Sequence, residues 1–549
     1  MDSGRYRQFI GELYNIKKRN DFMYKELCNL NVSQLIETVC NKDPNHEALY
    51  DMYSRMSYKE LWDHSIALAS SLRQLGINKG DKVAVCLPNW NEFVVIYMAI
   101  AHLGAILVPF NTRYRTEEVE YILNNSEAKF AFCTKEFSGV NHYEQFMHAK
   151  NQIASLEKIV TVRYQIEGSI RYEDLINKGS NQLFTPAEIV PEKDVFSILY
   201  TSGSTGPPKG AMLTHSNVVR TAVITAEEMT CTPDDVFFVA VPVFHVFGLV
   251  PSILSTLATG ARMVLMDKYK PKGALTLMQD EGVTVKHGVP TMFILELNHS
   301  EFSSYDLTSL RTGIIAAAPC PVEIVKRIRS DMGCEIMVAY GLSETSPTLT
   351  MTKFNDEDSV RAETVGKALP GAEVKIVNNE RKDVGIGEIG EIACRSFGVM
   401  KGYYNMPLKT EEAFDEDRWF YTGDLGVLDE NQYLQIVGRK KEMIIRGGYN
   451  IYPREVEEVF YTHPDVLEMA IIGLPDTVLG EISCACIKLK DDSKINTKQL
   501  RSFIEKRVAN YKVPDRLLIV EEFPMTASGK IKKMALQDQL KEDLKLELR

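Results

Sequence analysis

The sequence predicts an α/β fold, with a large N-terminal domain of several subdomains on parallel-type sheets, including a small β-subdomain, and a small α+β C-terminal domain. Three observations carry this prediction. The 549 residues exceed the size at which one hydrophobic core stops growing, so two or more domains are expected. Short apolar runs alternate with helical stretches through Tyr340, the pattern of strand–helix–strand units in a parallel sheet. Beyond Gly366 the pattern changes to short strands separated by polar turns.

Composition narrows the function classes. Hydrophobic residues make up 45% and charged residues 25%, an ordinary globular balance that argues against disorder. With 63 basic and 74 acidic side chains the net charge is -11, which gives no general attraction to nucleic acid. An anionic substrate therefore needs a local cationic site. The ten cysteines are scattered, without C-x-x-C pairs or a zinc-like His arrangement, and residues 1–32 read neither as a secretory signal nor as an acid-poor transit peptide. The expectation is reduced thiols in the cytoplasm, with residues 1–32 as a helical cap on the first domain. The longest apolar stretch, Phe93 to Phe110, is broken by His102, Gly104 and Pro109, so no membrane span is expected and only peripheral membrane contact stays open.

Taken in order, the N-terminal elements are a helix over 66–75, a turn and strand over 80–89, a helix over 92–103 and a strand over 105–109. Runs at 128–133 and 157–162 continue the alternation. Ser197 to Tyr200 reads as a buried strand that cannot continue, because Gly203, Gly206 and the Pro207-Pro208 pair follow it. The resulting loop, Thr201-Ser-Gly-Ser-Thr-Gly-Pro-Pro-Lys-Gly210, offers backbone N–H groups, the hydroxyls of Thr201, Ser202, Ser204 and Thr205, and the Lys209 ammonium to one anion, which suits a polyphosphate. It is not a Walker A loop, since Lys209 follows proline and precedes Gly210. A strand over 235–242 leads into Val243-Phe-His-Val-Phe-Gly248, whose His245 taken alone reads as a packed core residue.

Strands over 262–266 and 311–315 follow, the second running into small residues, Ala316-Ala317-Ala318-Pro319, that let backbone approach a flat ligand. Glu335 to Thr345 delivers Tyr340, Gly341, Ser343 and Glu344 at a strand end, where an aromatic can stack a base and a carboxylate can hold Mg²⁺. The β-subdomain is expected over 366–402. Asp424 in Trp419-Phe-Tyr-Thr-Gly-Asp424 follows a tight glycine turn and suits two ribose hydroxyls. Gly438-Arg439-Lys-Lys441 marks a boundary, giving domains 1–438 and 439–549. A hairpin with a glycine turn at Gly447-Gly448-Tyr449 and a helix opened by Pro453 come next, and Lys530 sits in the closing Gly529-Lys530 stretch.

The segments Tyr200-Thr-Ser-Gly-Ser-Thr-Gly-Pro-Pro-Lys-Gly210, Tyr340-Gly-Leu-Ser-Glu344, Tyr421-Thr-Gly-Asp424 and Pro524-Met-Thr-Ala-Ser-Gly-Lys530 together resemble the adenylate-forming superfamily, which includes acyl-CoA synthetases, adenylation domains and beetle luciferases. The resemblance implies ATP, Mg²⁺ and coenzyme A as cofactor or co-substrates, and a carboxylic acid activated first to acyl-AMP and then to acyl-CoA. It further implies that residues 201–206 and Lys209 hold phosphates, Ala317, Ala318 and Pro319 flank the adenine, Glu344 is the metal ligand, Asp424 and Arg439 reach the ribose, and Lys530 is catalytic with Thr201 and Glu344. His245 and Gly341 are expected at the acyl pocket, with the absent side chain of Gly341 leaving depth for a long chain. Lys441 is the expected hinge, and Gly447, Gly448 and Tyr449 the expected wall of a CoA tunnel. A medium- or long-chain fatty acid is the favoured substrate. An aryl or other acid, a carrier-protein acceptor, a luciferase-type oxidation and a non-catalytic nucleotide sensor are the alternatives. A monomer and a homodimer are equally compatible with the sequence.

Overall fold

The computed structural model describes residues 25–547 except 168, 202–206, 319, 491–492 and 526–530. Two large mixed sheets organise the N-terminal part. The nine-stranded sheet runs, edge to edge, through Lys367–Ala368, Thr350–Met351, Glu335–Tyr340, Thr312–Ile315, Val285–Lys286, Val236–Val239, Arg262–Leu265, Glu47–Tyr50 and Arg55–Ser57. Its six inner strands are parallel, as the alternation predicts, and antiparallel strands close both edges. The eight-stranded sheet follows the order Gly402–Tyr403, Lys209–Thr214, Val195–Thr201, Ile106–Pro109, Lys82–Cys86, Phe130–Cys133, Lys158–Thr161, Ile170–Arg171. Its pairings are parallel except for the two made by Lys209–Thr214, the one strand that runs opposite to the rest.

Helices pack between these sheets into one shared core. Asn91–Leu103 is buried on nearly every face, consistent with its almost wholly apolar sequence. The helix expected over 66–75 begins earlier, at Tyr58, and ends at Gln74. Its true start is set by a capping box in which Ser57 accepts from the Glu60 amide while Glu60 accepts from the Ser57 amide. The two sheets are also clasped directly. Arg163, just past the Lys158–Thr161 strand, donates to both oxygens of Glu92 at 2.7 and 2.8 Å, pairs with buried Asp51 at the end of the other sheet's Glu47–Tyr50 strand, and stacks on Trp90 at 4.2 Å.

The β-subdomain extends beyond the expected 366–402. It is a four-stranded antiparallel sheet of Glu373–Val377, Gly390–Arg395, Phe420–Leu428 and Leu434–Arg439, while Gly402–Tyr403 leaves to join the eight-stranded sheet. The C-terminal part is α+β. Strands Tyr449–Ile451, Ile444–Arg446, Gly480–Leu489 and Val466–Asp476, with Arg516–Ile519 alongside Gly480–Leu489, carry the helices Pro453–Tyr461, Thr497–Glu505 and Lys533–Glu547. Pro453 is in the first helical turn, as expected of a residue without a donor. Of the expected cap, residues 1–24 lie outside the described residues. No helix among the described residues is long and apolar enough to cross a membrane.

Four histidines are built into the core as neutral rings. His102 bridges the hydroxyls of Ser33 and Ser65 at 2.7 and 3.1 Å, and burial pushes it down to about 3. Burial likewise pushes His215 to about 3, and His142 and His287 to about 4. His287 takes the Ile314 amide on Nδ1 and so donates from Nε2 to the Pro251 carbonyl. Because the folded values lie below the unfolded one, these groups contribute stability above about pH 6.5 that is lost as pH falls, since the unfolded chain then binds protons the folded chain refuses. Four such sites give a slope approaching about 5 kcal/mol per pH unit near pH 5.5. Denaturant unfolding should therefore show stability dropping steeply between pH 7 and pH 5; a flat profile there would contradict neutral burial of these rings.

Candidate active site

The phosphate-loop candidate is flanked by two strands that pair as a β-hairpin. Val195–Thr201 pairs antiparallel with Lys209–Thr214, and Thr201 stands directly opposite Lys209, so the two side chains share a face. Ser202, Gly203, Ser204, Thr205 and Gly206 lie outside the described residues. The return strand is held on its other side by Gly402–Tyr403, with Ala211 opposite Tyr403, and the Tyr404 amide donates to the Gly210 carbonyl at 2.8 Å. The hairpin then feeds the helix His215–Glu228, capped reciprocally by Thr214 and Asn217.

This edge pairing brings Tyr403 into the site. Lys209 Nζ donates to the Tyr403 hydroxyl at 3.1 Å and lies 4.2 Å from the ring centroid. The Tyr403 hydroxyl donates to Glu344 Oε1 at 3.0 Å, and Thr201 Oγ1 approaches the same oxygen at 3.5 Å. Burial and the adjoining Glu344 carboxylate push the Tyr403 phenol well up, so it stays a donor at working pH. Glu344 sits in the short 3₁₀ turn Ser343–Thr345 after the Glu335–Tyr340 strand and is 7% exposed. Its carbonyl accepts the Met400 amide at 2.8 Å, and Ser346 donates to the Gly398 carbonyl at 2.7 Å, which fastens the turn to the segment leading to Tyr403. Oε2 has no hydrogen-bond partner among the described residues.

A second cluster forms around Asp424. The Tyr340 hydroxyl donates to Asp424 Oδ2 at 2.8 Å, and Arg439 Nε lies 3.5 Å from Oδ1 across neighbouring strands. Burial, then the Asp424 charge, pushes the Tyr340 phenol far up, so it too is a fixed donor. Gly423 does not end a strand in a turn, as the sequence suggested. Its φ of 75° kinks a continuous strand, Phe420–Leu428, and the pairing with Gly390–Arg395 slips across it, so that the bulge aims Asp424. Lys441 lies near both clusters; partial desolvation, then Arg439 and farther off Lys209, hold its ammonium below the usual range.

The other expected residues occupy separate places. His245 sits in the turn after Val236–Val239, accepting the Phe247 amide on Nδ1 at 3.2 Å, just before a seven-residue π-helix, Gly248–Leu254, that contains Pro251. Phe247 stacks on His287 at 5.8 Å beside it. Ala317 adopts φ 75°, the left-handed conformation that costs an alanine about 1 kcal/mol and that glycine takes freely. Ala318 is exposed; Pro319 and Lys530 lie outside the described residues. Gly447 and Gly448 form the hairpin turn with φ of 55° and 86°, Arg446 clamps Asp515, and Tyr449 stacks on Tyr511 at 4.8 Å.

Gly341 corrects an expectation. A Cβ there would lie 1.4 Å from the Pro347 carbonyl oxygen and 2.5 Å from its carbon, so the space beside this glycine is filled by its own 342–347 turn and is not acyl-pocket depth. Tyr403, conversely, carries no sequence signal: nothing in Gly402-Tyr-Tyr404 announces a strand pairing with residue 211. Gly341→Ala should force that turn apart, costing about 3 kcal/mol and lowering turnover of every acid alike. Thermal unfolding with an acid series checks this, and an unchanged Tm with an altered chain-length preference would contradict it.

Comparison with known proteins finds relatives along most of the chain. Residues 36–404 match the family model described as AMP-binding enzyme, and residues 455–530 match the AMP-binding enzyme C-terminal domain. The chain is 38% identical over 94% of its length, and 98% of the relative's, to a Bacillus subtilis protein named as the acyl-CoA synthetase YngI. It is 34% identical to the mitochondrial medium-chain acyl-CoA ligase of Homo sapiens, over 95% of this chain and 89% of that one. ATP-bound MatB from Rhodopseudomonas palustris superposes with a TM-score of 0.84 at 29% identity, covering 93% of this chain and 99% of that one. The apo form of that enzyme gives 0.75 at the same identity and coverage.

Proposed function

The chain belongs to the AMP-binding enzyme family, an ATP-dependent ligase that activates a carboxylic acid to its acyl-CoA, and from that premise we propose that the acid is a medium- or long-chain fatty acid. The observation that carries the reading is the pairing of the Lys209–Tyr403–Glu344 and Tyr340–Asp424–Arg439 clusters, one suited to phosphates and the other to a ribose. The name of the 34% identical human relative, a medium-chain acyl-CoA ligase, supports the fatty acyl choice.

The chemistry follows from charge. A carboxylate is already ionised at neutral pH, so its attack on the α-phosphorus of ATP needs no general base, only alignment and relief of the charge that builds on the phosphoryl oxygens. Lys209 and the loop donors hold the phosphates, and Lys530 adds its charge at the α-phosphate. The P–O bond to the β-phosphate breaks, pyrophosphate leaves, and acyl-AMP forms. Asp424, oriented by the Tyr340 hydroxyl on Oδ2 and by Arg439 beside Oδ1, is the carboxylate that receives the ribose hydroxyls. Adenine lies along Ala317–Pro319, and the thiol of coenzyme A then attacks the acyl carbonyl with AMP as leaving group.

Mg²⁺ takes one or two carboxylates and fills its shell with phosphate oxygens and water. Glu344, with Oε2 unpartnered among the described residues and the Thr201 hydroxyl nearby, fits that demand as donor set. A bound magnesium ion supplies charge neutralisation at the phosphates. The two half-reactions use one pocket, so the C-terminal part, residues 439–549, turns about Lys441, exchanging Lys530 for the Gly447–Tyr449 hairpin beside the pantetheine. The unequal superposition on ATP-bound and apo forms of one relative supports such an exchange. His245, in the turn after Val236–Val239, is the residue assigned to the acyl side. Ten free thiols support a reducing compartment, which we take as the cytoplasm.

The test is kcat/KM for straight-chain acids from acetate to palmitate beside benzoate and anthranilate, with ATP, Mg²⁺ and CoA. Each methylene buried should raise kcat/KM about fourfold until the pocket is full. Preference for an aryl acid or acetate would overturn the fatty acyl reading.

A further inference from the structure

We propose that Tyr403 is a positioning residue whose hydroxyl keeps the phosphate-binding cation and the metal-binding carboxylate apart, so that both stay available to the nucleotide. The proposal rests on the reading of Glu344 as metal ligand. Lys209 and Glu344 are opposite charges in a nearly closed site, and no direct ion pair joins them among the described residues. The phenol stands between them instead, accepting from Lys209 Nζ at 3.1 Å and donating to Glu344 Oε1 at 3.0 Å. Such an arrangement needs a group that accepts on one side and donates on the other, which a neutral tyrosine does and a phenylalanine cannot.

The phenol is also too well seated to drift. Tyr403 is 5% exposed, its amide donates to Thr410 Oγ1 at 2.9 Å, its strand is paired with Ala211 and Met212, and its ring underlies the Lys209 ammonium at 4.2 Å. Lys209 is flexible along four carbons. Without the hydroxyl it can fold onto Glu344, and a direct charge-assisted bond would then compete with phosphate for the ammonium and with magnesium for the carboxylate. With the hydroxyl present, both groups are held one hydrogen bond from neutral oxygen, a contact that phosphate and metal displace more readily than an ion pair.

The test is calorimetric titration of ATP, without any acid so that no turnover occurs, at a series of Mg²⁺ concentrations. Tyr403→Phe should raise the Mg²⁺ concentration for half-maximal ATP binding at least fivefold while leaving Tm within about 2 °C of wild type. Adding Lys209→Met to that variant should return the Mg²⁺ midpoint toward wild type, even though ATP binds more weakly overall, because no ammonium is left to fold onto Glu344. A merely structural role for the ring predicts no such rescue. Tyr403→Met is carried alongside in case the Phe variant does not fold, with the same expected shift. Glu344→Gln separates the two readings: if it leaves the Mg²⁺ midpoint unmoved, the metal assignment fails. If it moves the midpoint and Tyr403→Phe does not, or if Lys209→Met gives no rescue, the positioning role of Tyr403 is overturned.

Discussion

The pairing of Lys209–Thr214 with Gly402–Tyr403 is the interaction on which the site depends. Two residues of ladder, some 190 positions apart in sequence, extend the eight-stranded sheet beyond its parallel core and put a phenol beside the loop lysine. The same segment, through Gly398 and Met400, holds the turn that carries Glu344 at the end of the nine-stranded sheet. One short connection thus registers two sheets against each other at the point where phosphate chemistry is placed. The Arg163 clasp to Asp51 and Glu92 performs a similar task farther from the site, so neither sheet slides freely past the other.

Backbone shape does much of the remaining positioning. Gly341 exists for close approach to Pro347, Gly423 for the bulge beside Asp424, and Gly447 and Gly448 for a two-residue hairpin turn. Ala317 holds a glycine-like conformation without being glycine, at a cost of about 1 kcal/mol. Strain of this kind persists only where the surroundings over-determine it, and here the alanine follows a central strand and lies in the stretch assigned to the adenine.

Much of this was legible in the sequence because local chemistry announced it. The strand that stops at Thr201, the carboxylate at the end of Glu335–Tyr340 and the Pro453 helix start each stand on residues close in the chain. The start of the helix at Tyr58 was equally legible, in the Ser57-x-x-Glu60 capping box, and the apolar periodicity alone placed it too late. What could not be read is set by distant pairing or by filled space. Tyr403 depends on a partner strand near residue 211, the β-subdomain borrows strands up to Arg439, and a glycine's surroundings are invisible until the chain that occupies them is folded. Gly341 shows the cost of the last point: an absent side chain looks like room from the sequence and is backbone contact in the fold.

The central claim is that these clusters serve attack of a carboxylate on the α-phosphorus of ATP, a step separable from thioester formation. Its most direct test is exchange of radiolabelled pyrophosphate into ATP by the purified protein with Mg²⁺ and a fatty acid, in the absence of CoA. The account predicts exchange that requires the acid and is nearly abolished in Lys530→Ala. Exchange that is absent without CoA, or release of ADP and inorganic phosphate in place of AMP and pyrophosphate, would contradict it.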